Sequence, residues 1–247
     1  MSYLINFAHR GASGRYPENT ILAFEKALEF GADGIETDVQ MTKDGILILM
    51  HDEMVNRTTD GIGFVKDYTF SEIKKLDAGS WFSKEYLNEK VPSVEELLLL
   101  VKGKNVVVNF EIKNSIIEYE GIEEKLLDLI YRYGMQKNVI ISSFNHYSVV
   151  KVKKLASEVK TGLLYMENLY CPEKYAKYVG ADALHPYFYS LSRDVVNQVK
   201  KEGIMINTFT VNDTNYMKYL ISIGVDGIMT NYPEKLNKLI LNKKEAV

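Results

Sequence analysis

One joint recurs along this chain and narrows what it can fold into. The segments "EFGADGIETD" (29–38), "YVGADALHP" (178–186) and "SIGVDGIMTN" (222–231) each pass from an amphipathic stretch through Gly-x-Asp into a short apolar run. "KKEGIMINTF" (200–209) is a looser fourth copy. Glycine accepts the left-handed conformation that closes a helix. A short aliphatic run behind it reads as a buried parallel strand. Repeated helix-to-strand joints mean repeated β/α units.

Read this way, strands are predicted near residues 4–8, 34–40, 106–112, 139–143, 160–165, 182–185, 204–210 and 226–229. Helices are predicted over 18–30, 93–103, 119–133, 145–157, 172–179, 192–202, 213–223 and 233–241. Eight units in 247 residues match a closed (β/α)8 TIM barrel. A doubly wound open sheet is the alternative. One connection, after the second strand, is too long for a simple β-to-α loop. It opens with Lys43-Asp44-Gly45, a hairpin signal, so "GILILMH" is expected to return as an extra antiparallel strand. The remainder is rich in turn residues and aromatics, as lids and binding loops are. The expectation is a single domain over 1–247 with a lid-like insertion at about 42–92.

A net charge of −3 offers no basic face for nucleic acid or an anionic membrane. Cys171 is the single cysteine, which rules out an internal disulfide and fits a reducing compartment. The start "MSYLINFAHRG" has neither the basic segment nor the long apolar run of a secretion signal. No stretch approaches ~18 consecutive apolar residues. A cytoplasmic enzyme without stable membrane association is therefore expected.

In such barrels the chemistry gathers at the carboxyl ends of the strands. Those ends supply His9 and Arg10, then Glu36 and Asp38, then Glu111 and Lys113, then His185; the insertion adds His51. Alternate residues of a strand share a face, about 6.5 Å apart over two residues. Glu36 and Asp38 thus point the same way, and Glu111 sits on the predicted neighbouring strand. Three carboxylates at that range repel, and burial worsens it. A divalent cation resolves the conflict, and all-oxygen ligands favour Mg²⁺ or Ca²⁺ over Zn²⁺. A salt-bridge cluster with Arg10 and Lys113, without metal, is the other reading. His9 and His51 suit general acid–base work near neutral pH. His146 reads as a helix-start residue, and His185 fits pocket lining and packing equally.

The segment "AHRGASGRYPENTILAFEKALEFGADGIETDVQMTKDGILILMHDEMVNRTTDGIG" resembles the N-terminal signature of glycerophosphodiester phosphodiesterases. The likeness continues through "VPSVEELL", "NFEIK", "ISSFN", "FTVND" and "GVDGIMTNYPEKL". The resemblance implies a (β/α) barrel with an insertion after the second strand. It implies metal ligation by Glu36, Asp38 and Glu111, with His9 and His51 as the acid–base pair, and Arg10 and Lys113 on phosphate. His185 and Phe209 are taken with it as substrate-facing positions. Glu18 and Asn19 belong to the same signature, whereas Arg15 and "RTTDG" receive no catalytic role. The implied reaction is hydrolysis of a small glycerophosphodiester to sn-glycerol 3-phosphate and an alcohol. A phospholipase D-like reaction through a cyclic phosphate, on lysophospholipid or sphingomyelin, is the alternative. It would need an apolar rim, for which Met54, Val55, Phe64 and Phe82 are candidates. A non-catalytic phosphoester-binding barrel is a third reading. Phe209 stands where the family commonly has Trp, and Asn231 where Asp is frequent. Trp81 either closes over the ligand or packs on its own insertion.

Overall fold

The computed structural model describes residues 4–245. The first three and last two residues of the expected 1–247 domain lie outside the described residues. Among the described residues there are nine strands: β1 (Ile5–His9), β2 (Gly34–Met41), β3 (Leu47–Leu49), β4 (Val107–Ile112), β5 (Val139–Ser143), β6 (Lys160–Tyr165), β7 (Ala183–Pro186), β8 (Met205–Thr208) and β9 (Gly227–Thr230). The helices are α1 (Ile21–Glu29), α2 (Phe70–Ile73), α3 (Val94–Val101), α4 (Ile122–Arg132), α5 (His146–Leu155), α6 (Pro172–Val179), α7 (Arg193–Lys201), α8 (Thr214–Ile223) and α9 (Pro233–Glu245). All strands but β3 run parallel, and β1 pairs with both β2 and β9. That double pairing closes an eight-stranded (β/α)8 TIM barrel and excludes the open sheet.

The recurrent joint now has a physical account. Gly180 and Gly224 close their helices in the left-handed region, at φ 79° and 86°. The aspartate two residues on then ties its strand to the preceding neighbour. Asp33 accepts from the Asn6 N–H at 3.2 Å, Asp182 from Thr161 at 2.8 Å, and Asp226 from Ile206 at 2.9 Å. Each carboxylate satisfies a backbone donor at the amino end of the barrel. The glycine after Asp33 or Asp226 faces inward under the Phe7 ring. A Cβ on Gly34 would lie 2.4 Å from that ring, and one on Gly227 2.8 Å from it.

Outward-facing strand residues such as Ile35, Val39, Val108 and Phe110 pack beneath the helices with Leu97, Leu98 and Leu126. Leu163, Leu184, Ile206 and Ile228 do the same across the other half. Inside the barrel, Phe7, Ile140 and Met229 fill the floor. The insertion has its own cluster of Ile48, Met50, Val55, Val65, Ile73, Ala78 and Val91. β3 folds back antiparallel on the tip of β2, with Val39 opposite Leu49, as the Asp-Gly turn predicts. Among the described residues, no helix is long and apolar enough to cross a membrane.

Candidate active site

The carboxyl end of β1 breaks into a tight turn. Arg10 lies in the left-handed region at φ 56°, followed by Gly11 at 81°. A Cβ at Gly11 would meet the Ala23 backbone at 2.7 Å, so α1 can pass this close only over a glycine. The turn brings the Arg10 N–H onto the Glu36 carbonyl (2.8 Å) and its carboxylate (3.2 Å). Three residues of the "PENT" segment then have distinct tasks. Glu18 receives Arg10 Nη1 at 3.0 Å. Asn19, left-handed at φ 55°, donates to Asp38 Oδ2 at 3.0 Å and accepts from Thr37 at 2.7 Å. Thr20 caps α1 by accepting from the Ala23 N–H.

Glu36, Asp38 and Glu111 are brought together, each offering a carboxylate oxygen within 4.8 Å of the others. All three are buried. Register explains the meeting: Asp38 stands beside Glu111 across the β2–β4 pairing, and Glu36 two residues back shares its face. Arg10 Nε lies 3.3 Å from Asp38 Oδ2, and Lys113 Nζ lies 2.8 Å from Glu111 Oε1 and 3.9 Å from Asp38 Oδ1. Burial pushes the Glu36 carboxyl well up, and repulsion from Asp38 and Glu111 adds to it. Glu111 is likewise raised by burial, with Lys113 opposing. Asp38 is held below the usual carboxylate range: burial works against its charge, but Arg10, His51 and Lys113 prevail.

Two cations against three carboxylates leave a negative excess, and Arg10 is shared with Glu18. Asp38 Oδ1 is buried without a hydrogen-bond partner. An unsatisfied hard oxygen facing two further carboxylates is the donor set a divalent cation completes. The residues present therefore fit a metal ion, and the salt-bridge reading leaves that oxygen unexplained.

The imidazoles flank this cluster with different partners. His9 Nε2 lies 3.8 Å from Glu36 Oε2 and 3.4 Å from Thr210 Oγ1. Its Nδ1 lies 2.7 Å from Asn231 Oδ1; this amide acceptor assigns the proton to Nδ1 and leaves Nε2 free to accept. Burial, then the neighbouring Arg10, lower the His9 pKa to about 3. His51 Nδ1 instead meets a carboxylate, Asp52 Oδ1, at 2.7 Å. Arg57 grips that same Asp52 at 2.6 Å and reaches Glu18 at 2.7 and 2.9 Å. Against the cost of burial, Arg57 and His51 keep the Asp52 pKa down at about 2. Ion pairs therefore run without a break from Asp38 through Arg10, Glu18 and Arg57 to Asp52, which holds the His51 ring.

The whole chain can now be set beside known proteins. Residues 9–235 match the glycerophosphoryl diester phosphodiesterase family. The chain belongs to that family. Glycerophosphoryl diester phosphodiesterases are phosphoric diester hydrolases. This chain is 49% identical to the glycerophosphodiester phosphodiesterase of Caldanaerobacter subterraneus subsp. tengcongensis, over 94% of itself and 96% of the relative. It is 40% identical to a glycerophosphodiester phosphodiesterase of Bacillus subtilis, over 96% and 86%. It also superposes on an Oleispira antarctica phosphodiesterase bound to the product sn-glycerol-3-phosphate, at 30% identity and a TM-score of 0.85, covering 95% of each chain.

Within this family frame, several sequence-selected residues stand differently from the rest. His185 is fully enclosed in the barrel wall, bonded to Asn207 at 3.1 Å and pressed over Gly162, with no surface open at the mouth. Phe209 is half-buried and stacks edge-on to Phe144 at 5.8 Å. Val55, considered for an apolar rim, is wholly buried; Met54, Phe64 and Phe82 are exposed. Trp81 donates to the Ala78 carbonyl at 2.9 Å and packs on Phe82, so its contacts lie within its own insertion. His146 starts α5 as expected. Sequence reasoning gave no site role to Asn231, Arg57, Gln40 or Tyr119. The first is a departure from the family pattern that contacts His9 directly. The second opens the "RTTDG" run, to which no catalytic role was given.

Proposed function

We propose that this chain hydrolyses glycerophosphodiesters to sn-glycerol 3-phosphate and an alcohol, using a divalent cation held by Glu36, Asp38 and Glu111. Mg²⁺ and Ca²⁺ both suit the all-oxygen donors. The observation that carries this reading is the buried triad with its orphaned Asp38 oxygen, flanked by two histidines, one resting on an amide and the other on a carboxylate. The bound ion would supply charge neutralisation at a non-bridging phosphate oxygen.

The protein's own groups do the rest. Arg10 and Lys113, each held cationic by adjoining carboxylates, present positive charge to the phosphodiester. His9, kept neutral with Nε2 unprotonated, accepts the proton of the attacking oxygen. His51, whose Nδ1–H rests on the ionised Asp52 carboxylate, protonates the leaving alcohol. The attacking oxygen is water or the substrate's own 2-hydroxyl; the latter passes through a cyclic phosphate that water opens. The insertion of residues 42–92 acts as a lid, since it delivers His51, Asp52 and Arg57 to the mouth. The substrate is a small molecule, with no nucleic-acid or stable membrane partner, consistent with a cytoplasmic enzyme.

Turnover against a panel of glycerophosphodiesters, each with Mg²⁺, Ca²⁺ or chelator, tests the reading. Hydrolysis with either ion and none in chelator is expected. His9→Ala and His51→Ala should each lose roughly 10²- to 10⁴-fold in rate. Near-normal turnover of either variant removes that residue from the mechanism. Lysophosphatidylcholine assayed alongside separates the lipid-directed alternative.

A further inference from the structure

We propose that Gln40 and Tyr119 form a positioning pair that sets the His51 loop against the carboxylate triad; the inference rests on the acid role given to His51 above. Gln40 follows Glu36 and Asp38 on the same face of β2, one strand repeat further along. It lies beyond the last residue of β2 paired with β4, where the strand pairs with β3 instead. Its side chain is fully buried. Nε2 faces three consecutive carbonyls: Met50 at 3.3 Å, His51 at 3.1 Å, and Asp52. An amide nitrogen carries two protons, so it is fully engaged by this arc of acceptors. Carbonyls only accept, so they decide which way round the amide lies, and the Tyr119 hydroxyl then donates to Oε1 at 2.7 Å.

One strand face thus carries two metal ligands and then the anchor of the loop bearing His51. The Met50 N–H also reaches back to the Asp38 carbonyl at 3.0 Å, so the loop is pinned to the strand from two sides. Within this loop Arg57 grips Asp52 through its side chain alone, from an exposed position. Tyr119 brings in the segment after β4, the strand that supplies Glu111 and has Lys113 just past its end. A general acid works only within hydrogen-bond reach of the leaving oxygen. Release of the amide would let the imidazole drift while the triad stays in place.

The test uses the full chain with saturating Mg²⁺, as wild type, Gln40→Leu, Tyr119→Phe and His51→Ala. Two substrates are compared: glycerophosphocholine, whose alkoxide needs a proton to leave, and the p-nitrophenyl ester of glycerol phosphate, whose phenolate does not. Gln40→Leu should lower kcat on glycerophosphocholine by about 10- to 100-fold, the scale of a 1 Å misplacement. Its kcat on the nitrophenyl ester, its KM and its calorimetric Mg²⁺ affinity should change little. Tyr119→Phe should show the same selectivity more weakly, and His51→Ala more strongly. Equal losses on both substrates, or weakened Mg²⁺ binding, would mean general support of the fold and overturn the inference. If His51→Ala discriminates between leaving groups while Gln40→Leu and Tyr119→Phe do not, the positioning role alone fails. If His51→Ala treats both esters alike, the acid assignment falls and takes the inference with it. Should Gln40→Leu not fold, Tyr119→Phe, which keeps the buried ring, decides alone.

Discussion

Two histidines of identical chemistry are differentiated here by one contact each. His9 rests on a neutral amide, Asn231, and His51 on an ionised carboxylate, Asp52. Against the cost of burial, Arg57 keeps Asp52 ionised down to a pH of about 2, so the carboxylate that holds the His51 ring stays charged across neutral pH. Asp52→Asn keeps the shape and removes that charge. It should cost roughly 10- to 100-fold in kcat, the rate equivalent of a charge-assisted hydrogen bond, with KM little changed. Steady-state kinetics on glycerophosphocholine measure this, and an unchanged kcat would mean His51 needs no carboxylate. A residue-scale prediction of stability concerns Gly34. Gly34→Ala drives a methyl into the Phe7 ring and should destabilise by about 1–3 kcal/mol in urea denaturation, as overpacked cores do. An unshifted midpoint would mean the Phe7 ring has room to move.

The insertion is the element on which fold and chemistry meet. Its wall after α2 turns on Asp77, whose carboxylate gathers the N–H groups of Gly79, Ser80 and Asn88. Against the cost of burial, these donors hold the Asp77 pKa at about 2. An aspartate depressed below its unfolded value of about 3.9 contributes stability that is complete above roughly pH 4 and fades as pH falls toward 2. Asp77→Asn should therefore lower the urea midpoint at pH 7, and wild type and variant should converge as pH drops to 2. Parallel curves at all pH values would contradict the assignment. The turn at Asp44-Gly45 and the returned β3 were legible from sequence because a hairpin signal is local. The Gln40 clamp was not, since its three acceptors are backbone carbonyls, which no side-chain pattern records.

At the scale of the whole molecule, the Gly-x-Asp joints announced the barrel, because each encodes a helix end and a strand beginning within four residues. What they left open was closure, a pairing of β1 with β9 that joins residues more than 200 positions apart. The triad was legible for a related reason: a period of two places Glu36 and Asp38 on one face, and strand order brings Glu111 beside them. Arg57 was missed because its worth lies in bridging Glu18 to Asp52 across separate segments. Closure and site depend on each other, since the barrel holds together three buried carboxylates whose mutual repulsion burial magnifies. A bound ion should relieve that strain and stabilise the fold by mass action, raising the melting temperature with concentration. The most direct measurement is calorimetric titration of the metal-stripped chain with Mg²⁺ and Ca²⁺, with glycerophosphocholine hydrolysis followed at each point. One ion per chain should bind, turnover should track the bound fraction, and Glu36→Gln, Asp38→Asn or Glu111→Gln should abolish both. Full turnover by the stripped chain in excess chelator would contradict the account.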